Sequence, residues 1–355
     1  MNTPKSYIAY VGCYSSLEGG IHCLEITPEN GTIRHLGVTR GIADPTFVIL
    51  NKARTKLYAG VCQVKGQKNS GGAASFDIAA DYSLTCTSLQ PSGGTKPCHV
   101  ALDDDEKTLF AANYGEGSCA CFKLDGKGDV LPAFARFSHS GHGPHPIRQT
   151  SPHVHFATVT PDQELVYFVD LGLDTVKAYR YGNGKGNLAP VPEADIHTAP
   201  GAGPRHLAFT GNGRRAYVIN EVDSTVDFYL RDGIAYCRQQ SLSLLPQGYP
   251  KADQNTASAI KLTPDGTRLL CSNRGYDSIA VFDVDRATGA LTLLAINPTM
   301  GRGPRDFAIL PDGKTVIVAH QYTDNVLMFS LNQDGTLTHF GNQVLVPQGV
   351  CFAIV

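Results

Sequence analysis

The segment that decides the fold is GPRHLAFTGNGRRAYVINEVDSTVDFY, residues 203–229. It predicts three short strands: a proline-led strand, a second strand over 215–221 and a third over 225–229. Apolar residues alternate along them with the period of half-buried β-structure. Arg205 and Glu221 interrupt this pattern at the start of the first strand and the end of the second. In an antiparallel pair, these two positions lie at the same end of the sheet.

The same unit recurs along the chain: first strand, turn, second strand, polar turn, third strand, turn and fourth strand. The copies open at Pro45, Pro97, Pro152, Pro204, Ala257, Pro304 and Pro347. After Pro347 only QGVCFAIV remains, and the segment from Tyr7 onward supplies the strands that this last copy lacks. The repeat predicts an all-β, seven-bladed β-propeller of four-stranded antiparallel blades. We expect residues 1–355 to form one domain in which strands from the two termini share the last blade, which removes a free sheet edge.

The composition excludes several classes of function. A net charge of −2 over 355 residues gives no basic field for nucleic acid. The start of the chain lacks a secretion-signal pattern, and no apolar run approaches membrane-spanning length. The ten cysteines form no CxxC pair, which indicates free thiols in a reducing compartment. We therefore expect a cytoplasmic protein, a monomer or weak homodimer, with neither a nucleic-acid nor a membrane partner.

In successive repeats, the residue six positions before the turn that ends the first strand is polar or cationic, and it is predicted to line the central channel. These are His99, His155, Arg205, Ser258 and Arg305, with Gln348 in the closing blade. The second strands end at the same mouth with Cys62, Asn113, Asp170, Glu221, Arg274 and Gln321. The long loops 136–151 and 240–256 belong to that face. The sequence thus predicts a polar funnel for a small ligand, although each residue alone is equally compatible with a hydrogen bond between blades.

The chemistry of this set favours an anionic ligand. Arginine suits carboxylate or phosphate, which assigns Arg205, Arg274 and Arg305 to ligand binding or catalysis. His155 is the candidate acid or base, and Glu221 is its alternative. We expect neither a metal nor another cofactor. The cluster His142, His145, His153 and His155 has no acidic or thiol ligand at matching spacing.

Three further features have structural interpretations. Asp170 and Asp174 are predicted to hold the turn that follows their strand, and His206 is predicted to pack between blades. The glycine-rich segments DGKGD (125–129) and GNGKGN (182–187) are predicted to be hairpins, since no helix follows them to form a phosphate site.

Four motifs together resemble the seven-bladed lactonase family, over nearly the whole chain. They are SPHVHFATVTPDQELVYFVDLGLD (151–174), GAGPRHLAFTGNGRRAYVINEVDSTV (201–226), SNRGYDSIAVF (272–282) and RGPRDFAILPDGK (302–314). The family includes bacterial cycloisomerase-type 6-phosphogluconolactonases and fungal carboxy-cis,cis-muconate lactonising enzymes. The resemblance implies a metal-independent site at His155, Arg205, Glu221 and Arg274, with Arg305 close by. One departure is AHQ at 319–321, where relatives commonly have ANQ.

The leading hypothesis is hydrolysis of an anionic sugar lactone, 6-phosphogluconolactone, in carbohydrate metabolism. His155, Glu221 and Arg205 would act in catalysis, while Arg274, Arg305, His99 and Gln321 would bind the substrate. A lactonising isomerase that acts on an unsaturated dicarboxylate would use the same cations. A non-catalytic interaction platform is the third interpretation, but aromatic residues that could anchor a partner are not concentrated anywhere in the sequence.

Overall fold

Seven antiparallel sheets form a ring in the computed structural model, which describes residues 5–14, 19–64, 66, 70–181 and 188–355. The first three blades contain β4 (Ala43–Leu50), β5 (Lys56–Gln63), β6 (Gly72–Ile78) and β7 (Leu84–Pro91); β8 (Pro97–Leu102), β9 (Thr108–Asn113), β10 (Ser118–Leu124) and β11 (Val130–Ser138); β12 (Val154–Val159), β13 (Leu165–Asp170), β14 (Thr175–Arg180), β15 (Ala189–Pro190) and β16 (Ile196–His197).

The next three blades repeat this plan. Their strands are β17 (Pro204–Phe209), β18 (Arg215–Asn220), β19 (Thr225–Asp232) and β20 (Ala235–Ser243); β21 (Thr256–Leu262), β22 (Arg268–Arg274), β23 (Ser278–Val284) and β24 (Leu291–Pro298); β25 (Pro304–Ile309), β26 (Thr315–His320), β27 (Asn325–Leu331), β28 (Leu337–His339) and β29 (Val344–Leu345).

The two ends of the chain build the seventh blade. The C-terminal strand β30 (Gly349–Ile354) pairs antiparallel with β1 (Tyr7–Cys13), and β2 (Ile21–Thr27) and β3 (Thr32–Thr39) complete the sheet. The predicted seven-bladed ring and its shared closing blade are therefore confirmed. The helical segments in the described ranges are three-residue 3-10 turns at Pro28–Asn30, Leu171–Leu173, Pro192–Ala194 and Ala252–Gln254. None of these could cross a membrane.

Apolar side chains fill the spaces between neighbouring blades. Seven buried clusters lie in the described part of the chain, one at each contact between adjacent blades. The cluster between the fourth and fifth blades, for example, joins Tyr217 to Phe282, both fully buried. Because sheet faces pack on sheet faces all round the ring, the second and third strands are apolar on both sides. Polar side chains on the first strands are thus left to line the centre.

A hydrogen bond repeated in three blades closes the end of the second strand. Asn113, Asn220 and Asn273 each donate through Nδ2 to the hydroxyl of the residue that starts the third strand, at 3.1, 2.9 and 3.2 Å. His320 takes this position in the sixth blade, where it is buried and lies 3.3 Å from the carbonyl oxygen of Asn325. The asparagine at 113 therefore serves the blade and not the funnel.

Two of the predicted turn structures are observed. Asp170 accepts hydrogen bonds from the amides of Gly172 and His153 and so holds the turn after β13, as predicted. The same prediction is wrong for Asp174, which accepts from Gly201 and Gly203 in the segment before β17. Residues 125–129 form the hairpin between β10 and β11, whereas GNGKGN at 182–187 lies outside the described residues. All ten cysteines lie within the described ranges and are free.

Candidate active site

A β-bulge near the start of the first strands positions the residues of the site. The register shifts at this point in each of the first six blades, between Pro45 and Phe47 in the first and between Pro204 and His206 in the fourth. A bulge leaves one residue unpaired and re-aims its side chain. In five of these blades one residue stands at the bulge: Thr46, Cys98, His155, Arg205 and Arg305.

Four of these bulge residues line a cavity of about 380 Å³ at one mouth of the channel. Residues at the ends of the second strands or directly after them, and residues from loops, complete its wall. The lining comprises Tyr14, Thr46, Cys62, Lys96, Cys98, Tyr114, Arg148, His155, Glu221, Arg274 and Arg305. The predicted polar funnel is therefore present, and it contains His155, Glu221, Arg274 and Arg305.

The predicted register is wrong by one residue in the second blade, where Cys98 and not His99 occupies the bulge. The amide of Asp103 donates to the carbonyl oxygen of Thr108, and the amide of Thr160 donates to that of Leu165 in the third blade. Asp103 and Thr160 are therefore equivalent, and so are the residues that follow them, Asp104 and Pro161. Counting from Asp105 shifted the assignment. Three consecutive aspartates carry no signal that tells which of them starts the turn.

His99 instead belongs to an aromatic layer that is separate from the cavity lining. Its ring centroid lies 4.0 Å from that of Phe47, 3.9 Å from Phe156 and 5.8 Å from His206. These four residues are each paired with the second strand, directly after the bulge. His206 packs against Phe156 of the neighbouring blade, with ring centroids 4.8 Å apart, so its predicted packing role between blades is observed.

Three other residues of the predicted register lie outside the cavity lining. Gln348 is exposed and donates its backbone amide to Asp324, because β30 starts one residue later. Ser258 is buried and donates to the carbonyl oxygen of Arg305 at 2.6 Å. Gln321 follows β26 as Glu221 follows β18, but its side-chain oxygen is buried without a partner among the described residues.

Glu221 is the electrostatic centre of the site. Its Oε2 lies 2.9 Å from Nε of Arg205 and 2.9 Å from an Nη of Arg274, and its Oε1 pairs with Arg148. Burial alone would raise the pKa of Glu221, but Arg274, Arg205 and Arg148 hold it well below its usual range. The carboxylate is thus ionised and a weak base.

Arg205 lies behind Glu221 and not on the cavity wall. Its side chain is only 3% exposed and donates to the carbonyl of Ser258 at 2.7 Å, while an Nη also lies 3.0 Å from Nε2 of His206. Burial, with Arg274 and Arg305 nearby, lowers the pKa of Arg205 to about 9, which still leaves it protonated at neutral pH. Arg205 therefore positions Glu221 and does not contribute to the cavity surface.

His155 is a neutral imidazole in a cationic environment. Burial lowers its pKa well below the ordinary value, and the positive charge of Arg205 lowers it further. The residue is 3% exposed, and its Nδ1 has no hydrogen-bond partner in the described part of the chain. A buried polar atom without a partner calls for an explanation, and a catalytic role is one of them.

Arg148 is the main site residue that the sequence did not single out. It lies in the loop after β11, which had been expected to cover this mouth, and its side chain reaches Glu221. The neighbouring Gln149 is fully buried and fixes the loop: its Nε2 donates to Leu171 and Asp174, and its Oε1 accepts from His145. An arginine in a loop has no strand register, so counting could not find it. The other long loop, 240–256, contributes nothing to the described lining.

The two thiols in the wall are protonated. Burial raises the pKa of Cys62 to about 11 and that of Cys98 to about 12, so neither is poised as a nucleophile. The described residues contain no cluster of histidine, cysteine or acidic side chains able to hold a metal ion. Nδ1 of His153 lies 2.8 Å from the carbonyl of Tyr114, and His142 is exposed. The histidine-rich segment thus does not converge on one point.

Comparison with known proteins gives a consistent result. The family model described as a seven-bladed β-propeller lactonase matches residues 8–354. The 6-phosphogluconolactonase of Bacillus subtilis is 33% identical over 97% of each chain. That of Formosa agariphila is 30% identical over 90% of this chain and 91% of its own. The solved structure of a Pseudomonas aeruginosa periplasmic gluconolactonase superposes with a TM-score of 0.90 at 30% identity, with 99% of both chains covered.

Proposed function

Because the chain belongs to the seven-bladed β-propeller lactonase family, we propose that it hydrolyses 6-phosphogluconolactone to 6-phosphogluconate in the cavity around Glu221. The observation that carries the proposal is a neutral imidazole beside an ionised carboxylate that three arginines hold. Lactone hydrolysis needs a base for water and a cation for the developing oxyanion, and this wall supplies both.

His155 is the general base of this mechanism. It takes a proton from the water that attacks the lactone carbonyl carbon, and it later returns a proton to the ring oxygen as the C–O bond breaks. Its lowered pKa keeps the imidazole unprotonated at neutral pH, which a base requires. Glu221 is a weaker base because the arginines stabilise its ionised form.

Arg274 stabilises the oxyanion of the tetrahedral intermediate. It lines the cavity with a side chain that is 10% exposed, and the same Nη2 that pairs with Glu221 also donates to the carbonyl oxygen of Ala257 at 3.1 Å. Arg274 forms an ion pair with Glu221, and Glu221 forms a second ion pair with the buried Arg205. Such preorganised charge requires no rearrangement during the reaction, which is how oxyanion sites lower a barrier.

The test is hydrolysis of 6-phosphogluconolactone by the purified protein, measured against the spontaneous rate. We expect His155→Ala to lower kcat by about 10²–10⁴-fold, the usual contribution of a general base. His142→Ala removes an exposed imidazole from the same segment and serves as the matched control. A wild-type protein that does not exceed the spontaneous rate refutes the proposed function, and a His155→Ala variant with wild-type turnover refutes the base.

The same purified sample should be assayed with an unsaturated dicarboxylate. Formation of a lactone from that compound, without hydrolysis of the sugar lactone, would favour the lactonising isomerase. The cytoplasmic location stays a prediction, and so does the monomeric or weakly dimeric state.

A further inference from the structure

The cations of the cavity wall fall into two groups. Arg148 and Arg274, with Arg205 behind them, are all paired with Glu221. Arg305 and Lys96 line the same cavity, yet no acidic side chain of the described ranges forms an ion pair with either of them. Two positive charges of the wall are therefore left without an ion-pair partner. Burial raises the pKa of the Cys62 thiol and both of these cations oppose that rise, so both lie near this one residue.

Arg305 is held rigidly by a neutral partner. Its Nη2 donates to the hydroxyl oxygen of Tyr14 at 2.9 Å, and its guanidinium carbon lies 4.9 Å from the centroid of that ring. Burial raises the pKa of Tyr14, so the phenol stays protonated and keeps its own O–H to donate. Ser258 donates to the backbone oxygen of Arg305, which fixes the bulge from the neighbouring blade. The guanidinium is thus preorganised but not neutralised.

Lys96 adds the second charge at the rim. Its side chain is exposed and its backbone φ is 51°. The carbonyl oxygen of Lys96 accepts a hydrogen bond from the amide of Tyr114 at 3.1 Å, which fixes the backbone at this point. A long side chain on a fixed backbone can follow a ligand group that enters the cavity. Arginine binds phosphate through a planar fork, whereas lysine acts as a mobile point charge.

We propose that Arg305, Tyr14 and Lys96 form a subsite for the phosphate group of the substrate, while His155 and Arg274 face the lactone ring. This inference rests on the proposed function, whose substrate carries that phosphate. Two uncompensated cations match a phosphate monoester, which carries about −1.5 to −2 charges at neutral pH, better than they match a single carboxylate. The subsite makes the enzyme selective for phosphorylated over unphosphorylated sugar lactones.

The experiment measures binding and not turnover. Isothermal titration calorimetry with 6-phosphogluconate and with gluconate gives the ratio of their affinities. We expect the wild type to bind 6-phosphogluconate about 100-fold or more tightly than gluconate, because the phosphate makes two or more charge-assisted contacts. Arg305→Met and Lys96→Met should each lower this ratio by about tenfold or more, and Tyr14→Phe, which keeps the ring, should lower it less. Lys127→Met, an exposed lysine in the hairpin between β10 and β11, is the control and should leave the ratio unchanged.

The outcomes separate the subsite from the function. A wild-type ratio near one overturns the subsite, as does an equal loss of both affinities in Arg305→Met and Lys96→Met. Lys96 is exposed, so its variant folds even if loss of the buried arginine destabilises the ring. A strong preference for 6-phosphogluconate in a protein without lactonase activity would support the subsite and refute the proposed function.

Discussion

Replacing Glu221 by glutamine removes one negative charge from beneath three arginines while the shape of the side chain is kept. The side chains of Arg205 and Arg274 are 3% and 10% exposed, so each would remain as a buried cation without its partner. Breaking a buried ion pair in this way costs about 3–5 kcal/mol. Arg148 is 30% exposed and contributes little because water screens it.

The two buried pairs share one carboxylate, so their costs do not add. We therefore expect Glu221→Gln to lower the free energy of unfolding by about 3–5 kcal/mol. The assay is urea unfolding at neutral pH, with the transition midpoint and slope fitted for both proteins. Glu25→Gln is the matched control, because it breaks a 2.7 Å pair with Arg34, whose side chain is 65% exposed. We expect about 0–1 kcal/mol there.

The pH dependence gives a second readout with a defined sign. The folded pKa of Glu221 lies well below its ordinary value of 4.5. The stabilisation is therefore complete above that value and is lost as the pH falls toward the folded pKa. The gap between wild type and Glu221→Gln should stay constant from about pH 8 to about pH 5 and narrow below that. If Glu221→Gln is no less stable than Glu25→Gln, the account of the carboxylate as the anchor of the arginines is refuted.

Three further predictions concern single side chains. Arg148 lines the cavity and is a cation that an anionic substrate can contact, so Arg148→Met should lower kcat/KM by about 10–100-fold through loss of that charge-assisted contact. Less than about 1 kcal/mol should be lost in stability because the arginine is part-exposed; a loss of stability large enough to account for the loss of activity would contradict this. His320 has a pKa lowered from 6.5 to about 4 by burial, so this residue alone should reduce the stability by about 2 kcal/mol between pH 7 and pH 5 as the unfolded chain takes up the proton. His320→Asn places here the asparagine found in other blades. In urea unfolding, the variant should lose about 2 kcal/mol less stability than the wild type between pH 7 and pH 5, and equal losses in the two proteins would refute the lowered pKa of His320. Cys86 and Cys237 are exposed, while burial raises the pKa of Cys62 to about 11. Iodoacetamide at neutral pH should therefore modify these two thiols before Cys62, as followed by mass spectrometry, and leave activity intact; early labelling of Cys62 would argue against a protonated thiol.

The repeat made the fold predictable from the sequence, because each blade carries its own period-two pattern and its own turn residues. A missing C-terminal portion that the N-terminus supplies could be recognised for the same reason. Part of the site was predictable too: His155, Glu221, Arg274 and Arg305 all line the cavity. Their positions follow from register, and register is local as long as the turn residues are unambiguous.

The same counting was wrong where the local signal was degenerate. Three aspartates at 103–105 hid the start of a turn and moved the assignment from Cys98 to His99. Gln348 was wrongly assigned to the channel, because no turn residue follows the first strand of its blade and the position could not be counted back from one. Gln321 has the right register without reaching the cavity, because register fixes the backbone position and not the direction of the side chain.

The sequence by itself therefore determined the number of blades, the closure of the ring and part of the set of residues near one mouth of the channel, since these depend on short-range periodicity. Only the tertiary structure decided which cations are neutralised. Arg148, Arg205 and Arg274 come from three different segments and meet one carboxylate, whereas Arg305 meets a tyrosine from the other end of the chain. The physical reason is that an ion pair depends on the distance between charged atoms in space, and closing the ring brings together residues far apart in the chain, such as Tyr14 and Arg305, which are 291 positions apart.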